Sequence, residues 1–122
     1  MVKLLVFFTI FLIVCVNADV PHLVVNAGEN LEINLWGQKE LTRSLGPNQP
    51  LEVYRVCDGK NAKTCGYWEN KDTKKKVAKA PVTKIDGNNL ILQKVTGADS
   101  GNYYGGDIYM SVTVLDIVQR AP

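Results

Sequence analysis

The chain has 122 residues, a formal net charge of +2, and 46% hydrophobic against 21% charged residues. A charge so near zero creates no demand for nucleic acid as a partner. A single histidine, His22, leaves nothing from which to build a Ser-His-Asp or Cys-His arrangement around a buried imidazole.

Lys3 precedes an unbroken apolar run, Leu4 to Val16, and Val16-Asn17-Ala18 places small residues at the −3 and −1 positions of a cleavage site. Residues 1–18 therefore read as a signal peptide cleaved before Asp19, because a membrane anchor requires about 18 to 20 apolar residues. No later stretch is apolar enough to span a bilayer, and no C-terminal hydrophobic tail suggests a lipid anchor. The expected product is secreted and extracellular. Removing residues 1–18 takes away Lys3 and Cys15, leaving 13 basic and 12 acidic groups and two cysteines, Cys57 and Cys65. In an oxidising compartment those two read as one disulfide. Zinc would want two or more further ligands. No Asn-x-Ser/Thr acceptor site occurs.

From Asp19 onward the chain reads as short strands. Residues 19–25 suit an edge strand that tolerates Pro21, and Asn26 to Asn30 is a turn cluster. Leu31, Ile33 and Leu35 then alternate with polar residues. Gly37 to Pro50 reads as a long connection. A second alternating strand, 51–57, ends at Asp58-Gly59, and 65–69 is its returning partner. Asn70 to Ala80 is polar and lysine-rich. Residues 82–85, 89–95, 101–105 and 109–118 complete the set. Regular spacing with Gly, Pro and Asn punctuation is the pattern of an all-β sandwich.

Asp99-Ser100-Gly101-Asn102-Tyr103-Tyr104-Gly105 resembles the corner between strands E and F of the immunoglobulin superfamily, where the pattern is D-x-G-x-Y-x-C. Gly105 stands at the cysteine. Gly28-x-x-Leu31-x-Ile33-x-Leu35 is similar to the family's strand B, with Leu35 at the other cysteine. Val53-Tyr54-Arg55 resembles the strand C triplet, with Val53 at the core tryptophan. Val112-Thr113-Val114 resembles strand G. The likeness implies one immunoglobulin-like β-sandwich of two antiparallel sheets with Greek-key connections, over residues 19–122, without the usual inter-sheet disulfide. It further implies that the Tyr103 hydroxyl turns back onto the corner, with Asp99 and Gly101 also structural. Cys57–Cys65 would clamp the C–C′ hairpin. A loop of about nine residues contributes roughly 2.5 kcal/mol in the chain-entropy model.

Tyr54 and Tyr104 are expected to point outward on the C-F-G sheet, with Trp68 or its neighbour Tyr67 extending the patch. Family members use this face for adhesion, receptor contact or dimer formation, so the resemblance implies an extracellular binding module whose partner is a protein or a second copy. Residues 60–84 carry eight lysines against Glu69 and Asp72. Such a run blunts an exposed edge, and it also offers Lys74, Lys75, Lys76 and Lys79 to a polyanion such as a glycosaminoglycan or anionic lipid headgroup. A third reading is a secreted inhibitor or effector of an extracellular protein. The sequence favours no enzyme, cofactor or metal. Asp58-Gly59-Lys60-Asn61 lacks the downstream ligands of a calcium loop, and Gly105-Gly106 reads as a hairpin.

Overall fold

Leu31 and Ile33 are buried while Glu32 and Asn34, which alternate with them, are exposed, the signature of a strand with one face on a core. The computed structural model describes residues 21–116; the expected signal peptide and cleavage site lie outside the described residues. Within them run β1 (His22–Asn26), β2 (Leu31–Asn34), β3 (Glu40–Ser44), β4 (Glu52–Arg55), β5 (Trp68–Asn70), β6 (Thr83–Asp86), β7 (Asn89–Leu92), β8 (Gly101–Gly105) and β9 (Ile108–Leu115). A short 3-10 turn, Gly97–Asp99, precedes β8.

The strands form two sheets, β1-β9-β8-β3-β4-β5 and β2-β7-β6. β1 runs parallel to β9, and every other pairing is antiparallel. A G-F-C sheet (β9-β8-β3) extended beyond C by β4 and β5 and at its other edge by β1, facing a smaller B-E-D sheet (β2-β7-β6), is the variable-type arrangement of an immunoglobulin-like sandwich. Among the described residues no helix is long and apolar enough to cross a membrane.

Strand β3 corrects the sequence reading. It lies within the segment expected to be a connection, and it holds the strand C position beside β8. The strand read as C is therefore β4, one place further out, and its partner β5 forms the next strand beyond. The cause is Arg43: β3 reads Glu-Leu-Thr-Arg-Ser, and only Leu41 marks its buried side by hydropathy, because the second inward residue is an arginine.

Register corrects the faces as well. Directly paired residues share a face, and Leu41 pairs with Tyr54, which pairs with Trp68. All three are buried in the common core with Leu90, Leu92 and Tyr103. Tyr54 and Trp68 thus point inward, and the exposed patch expected of them does not form. Val53 takes the opposite face, between Thr42 and Glu69. The sequence match to the strand C triplet placed the alternation one residue out of step, and a one-residue slip exchanges every side chain between faces.

The core nonetheless contains a tryptophan. Trp68, from β5, packs against Tyr54 at 5.6 Å and Tyr103 at 6.1 Å between ring centroids. Its Nε1 donates to Thr83 Oγ1 on the other sheet at 2.9 Å. At Gly105 a side chain is excluded, since a Cβ would stand 2.7 Å from the Glu40 carbonyl oxygen. A cysteine there would push β8 away from β3.

Candidate functional site

The six-stranded sheet carries two chemistries, one on each face. On the inner face Tyr103, Arg43 and Glu52 pair in a row across β8, β3 and β4. Arg43 is 1% exposed. Its Nε meets Glu52 Oε1 at 2.8 Å, and its Nη1 meets Asp99 Oδ1 at 3.0 Å. Nη1 also donates to the Tyr103 hydroxyl at 2.9 Å, which in turn donates to the Asp99 carbonyl at 2.6 Å. The guanidinium lies 4.5 Å from the Trp68 ring centroid, within cation–π range.

Burial works against the Arg43 charge, but Tyr103, Glu52 and Asp99 outweigh it and hold the guanidinium above its ordinary value. Burial pushes the Tyr103 hydroxyl up to about 12, against the opposing pull of Arg43. Asp99 also accepts the Thr96 backbone N–H at 2.9 Å, and Gly101 lets β8 pass so close to Ser44 that a Cβ would meet its carbonyl oxygen. Through Nε and Nη1 the Arg43 guanidinium is tied to three internal partners, Glu52, Asp99 and Tyr103. Its chemistry holds the fold together.

On the outer face a single register line runs Tyr109, Tyr104, Thr42, Val53, Glu69. An isolated bridge adds Lys76 beside Glu69. Tyr104 and Tyr109 stack at 5.9 Å with 22° between their planes, and Tyr109 is 50% exposed. One flank is ionic: Arg55 reaches Glu69 Oε1 at 2.7 Å and Glu40 Oε2 at 3.4 Å. The hydrogen bond that Arg55 donates to Glu69 leads in raising the Arg55 pKa; burial opposes it and Glu40 adds to it. The other flank is polar and uncharged, with Asn102 paired to Ser44 and Ser111. Beside Tyr104 a depression of about 430 Å³ opens between Thr42, Gly105, Gly106 and the Gly37–Glu40 segment.

Of the residues expected to form a partner-binding patch, only Tyr104 lies on this face. Sequence reasoning missed Tyr109, Thr42, Arg55 and Glu40. Tyr109 was recoverable as an outward residue of a strand entering straight from the Gly105-Gly106 turn. Lys74, Lys75, Lys76 and Lys79 are all exposed on the segment that follows β5. Cys57 and Cys65 are disulfide-bonded, with Cα atoms 5.0 Å apart, and close the loop between β4 and β5. Among the described residues no group of three or more His, Cys, Asp or Glu side chains could hold a metal ion.

No protein-family model matches the sequence, and no curated protein matches it. Among solved structures the chain is similar to the first Ig-like domain of human CD48 antigen, at 16% identity over 87% of this chain and 90% of that one, with a TM-score of 0.48. It is also similar to Tim-1, at 14% identity over 85% of this chain and 99% of that one, with a TM-score of 0.42. The strand order, the extended six-stranded sheet and the tyrosine corner make the described residues a single immunoglobulin-like domain.

Proposed function

We propose that this chain is a secreted recognition domain that binds a protein partner through the outer face of the six-stranded sheet. The observation that carries the reading is the line Tyr109, Tyr104, Thr42, with an ionic flank on one side and a polar flank on the other. Binding hot spots have that form: a central aromatic cluster ringed by polar contacts that exclude water. Paired tyrosines supply rigid, amphipathic contact area at low entropic cost. The ion pairs are already made within the face, so Arg55 and Glu69 need not be desolvated unpaired when a partner covers them. The depression beside Tyr104 offers room for a side chain from the partner.

Secretion belongs to the same proposal and rests on residues 1–18. Intact mass of material recovered from the medium should show an N-terminus at Asp19, whereas full-length protein retained in the cell would remove the extracellular setting. Binding itself is tested by screening the immobilised domain against extracellular ectodomains and then comparing wild type with Tyr104→Ala and Tyr109→Ala. Sedimentation equilibrium on the same samples identifies a second copy as the partner if association weakens in those variants. Undiminished binding by both variants would contradict the proposed face.

A further inference from the structure

The lysine-rich segment does more than decorate an edge. After β5 the chain turns at residues 71–74 and then bridges back to Glu69 at Lys76. That path brings Lys75, Lys76 and Lys79 to the lip of a cleft of about 510 Å³. The volume lies within the usual range for small-molecule sites. Arg43, Glu52 and Asp99 reach its wall, beside Gln49, Asn70 and Thr73. Lys74, though next in sequence, takes no part in the lining.

Four cations against two carboxylates leave the cleft at +2, and both carboxylates are already bound to Arg43. Among the described residues Lys75 and Lys79 form no ion pair, while Lys76 rests 5.8 Å from the Tyr67 ring centroid. The Arg43 Nε and Nη1 atoms are committed, but among the described residues Nη2 has no hydrogen-bond partner, although the side chain is 2% exposed. Asn70 likewise uses its Oδ1 to accept from Asp72 and Thr73, and among the described residues its Nδ2 has no partner. An unsatisfied buried donor is costly, and an oxyanion entering this cleft would satisfy it.

We infer that the cleft binds an anionic saccharide, with a sulfate or carboxylate group held between Arg43, Lys75 and Lys79 and ring hydroxyls facing Asn70, Thr73 and Gln49. A sugar fits better than a membrane. Among the described residues the exposed large apolar side chains Val24, Trp36, Val82, Tyr109 and Leu115 all lie outside the lining, so none of them makes the cleft wall an apolar wedge for a bilayer. The site is separate from the outer tyrosine face, and either assignment can fail alone.

The test is calorimetric titration of the secreted protein with a heparin-derived tetrasaccharide and, separately, a hyaluronan tetrasaccharide, which separates sulfate from carboxylate recognition. Removing charge-assisted hydrogen bonds in Lys75→Gln/Lys79→Gln should weaken binding roughly tenfold or more. Lys74→Gln, which removes one charge outside the cleft, should shift it by less than about threefold, the level of a long-range, salt-screened effect. Ala98→Phe, an exposed wall position, should block the cleft without altering charge. Tyr104→Ala should leave saccharide binding unchanged. Equal losses from Lys74→Gln and the double variant, with Ala98→Phe neutral, would reduce the site to a diffuse basic edge. Failure of wild type to bind either tetrasaccharide, or binding to phosphatidylserine vesicles alone, would overturn the inference.

Discussion

Tyr103 and Tyr104 are neighbours on β8 with opposite lives. Tyr103 is fully buried, its hydroxyl caught between Arg43 and Asp99, while Tyr104 stacks on Tyr109 on the outer face. The same contrast extends across the whole sheet. Its inner face spends polar groups on each other, in a cluster of hydrogen bonds, ion pairs and aromatic contact. Its outer face leaves aromatic rings uncovered and keeps its ion pairs to one flank. Register parity alone decides which face a residue serves, so a tyrosine is read as structural or as a contact only after its cross-strand partners are known.

The sharpest way to break this contrast is Arg43→Met. Removing the guanidinium leaves the Glu52 and Asp99 carboxylates buried without their cation, and breaking a buried ion pair from one side costs about 3–5 kcal/mol. Urea unfolding should show that loss. A cost below about 1 kcal/mol, the range of an exposed pair, would mean that water reaches the cluster.

Alkaline pH probes the same face. The Tyr103 pKa is raised in the folded state, so its contribution is fully present below pH 10, the ordinary tyrosine value, and is lost as pH rises through about 12. A shift of this size corresponds to about 3 kcal/mol. Wild type should lose that much more stability than Tyr103→Phe across the interval. At neutral pH Tyr103→Phe should itself cost about 1–3 kcal/mol, because Arg43 and the Asp99 carbonyl each lose a partner.

Opening the disulfide is a smaller, local change. Replacing Cys57 and Cys65 with serine should cost roughly 2.5 kcal/mol or less in the chain-entropy model. Hydrogen exchange should rise first in residues 57–66, with β3 and β8 unaffected. Smallest of all is Tyr104→Phe, whose hydroxyl has no hydrogen-bond partner among the described residues. Thermal unfolding should place it within about 0.5 kcal/mol of wild type.

Much of this molecule was legible before its structure. The corner from Thr96 to Tyr103 is built from local contacts between residues whose types announce them: an aspartate that caps, a glycine that lets backbone pass, a tyrosine that reaches back four residues. β2 was legible because its inward residues are all apolar. β3 was not, since an arginine stands where hydropathy expects a hydrophobe, and its partners Glu52 and Asp99 are 9 and 56 residues away in sequence. Missing that strand displaced the labels of the next two. The faces of β4 were hidden for another reason: Val53 and Tyr54 are both buried, so burial preference cannot choose between them. Only pairing with Leu41 and Trp68 fixes the parity. The lysines were visible as a run, but the cleft they rim comes from the turn at 71–74, where Lys74 adopts a φ of 65°.

The division of labour between the two faces is tested most directly by measuring affinity and stability together for the Tyr104→Ala/Tyr109→Ala double variant, using the ectodomain captured by wild type. The account predicts a loss of at least about 2 kcal/mol in binding, roughly thirtyfold, as for a true hot spot. The urea midpoint should move far less than in Arg43→Met. Binding retained at wild-type affinity, with the domain still folded, would contradict the assignment of recognition to the outer face.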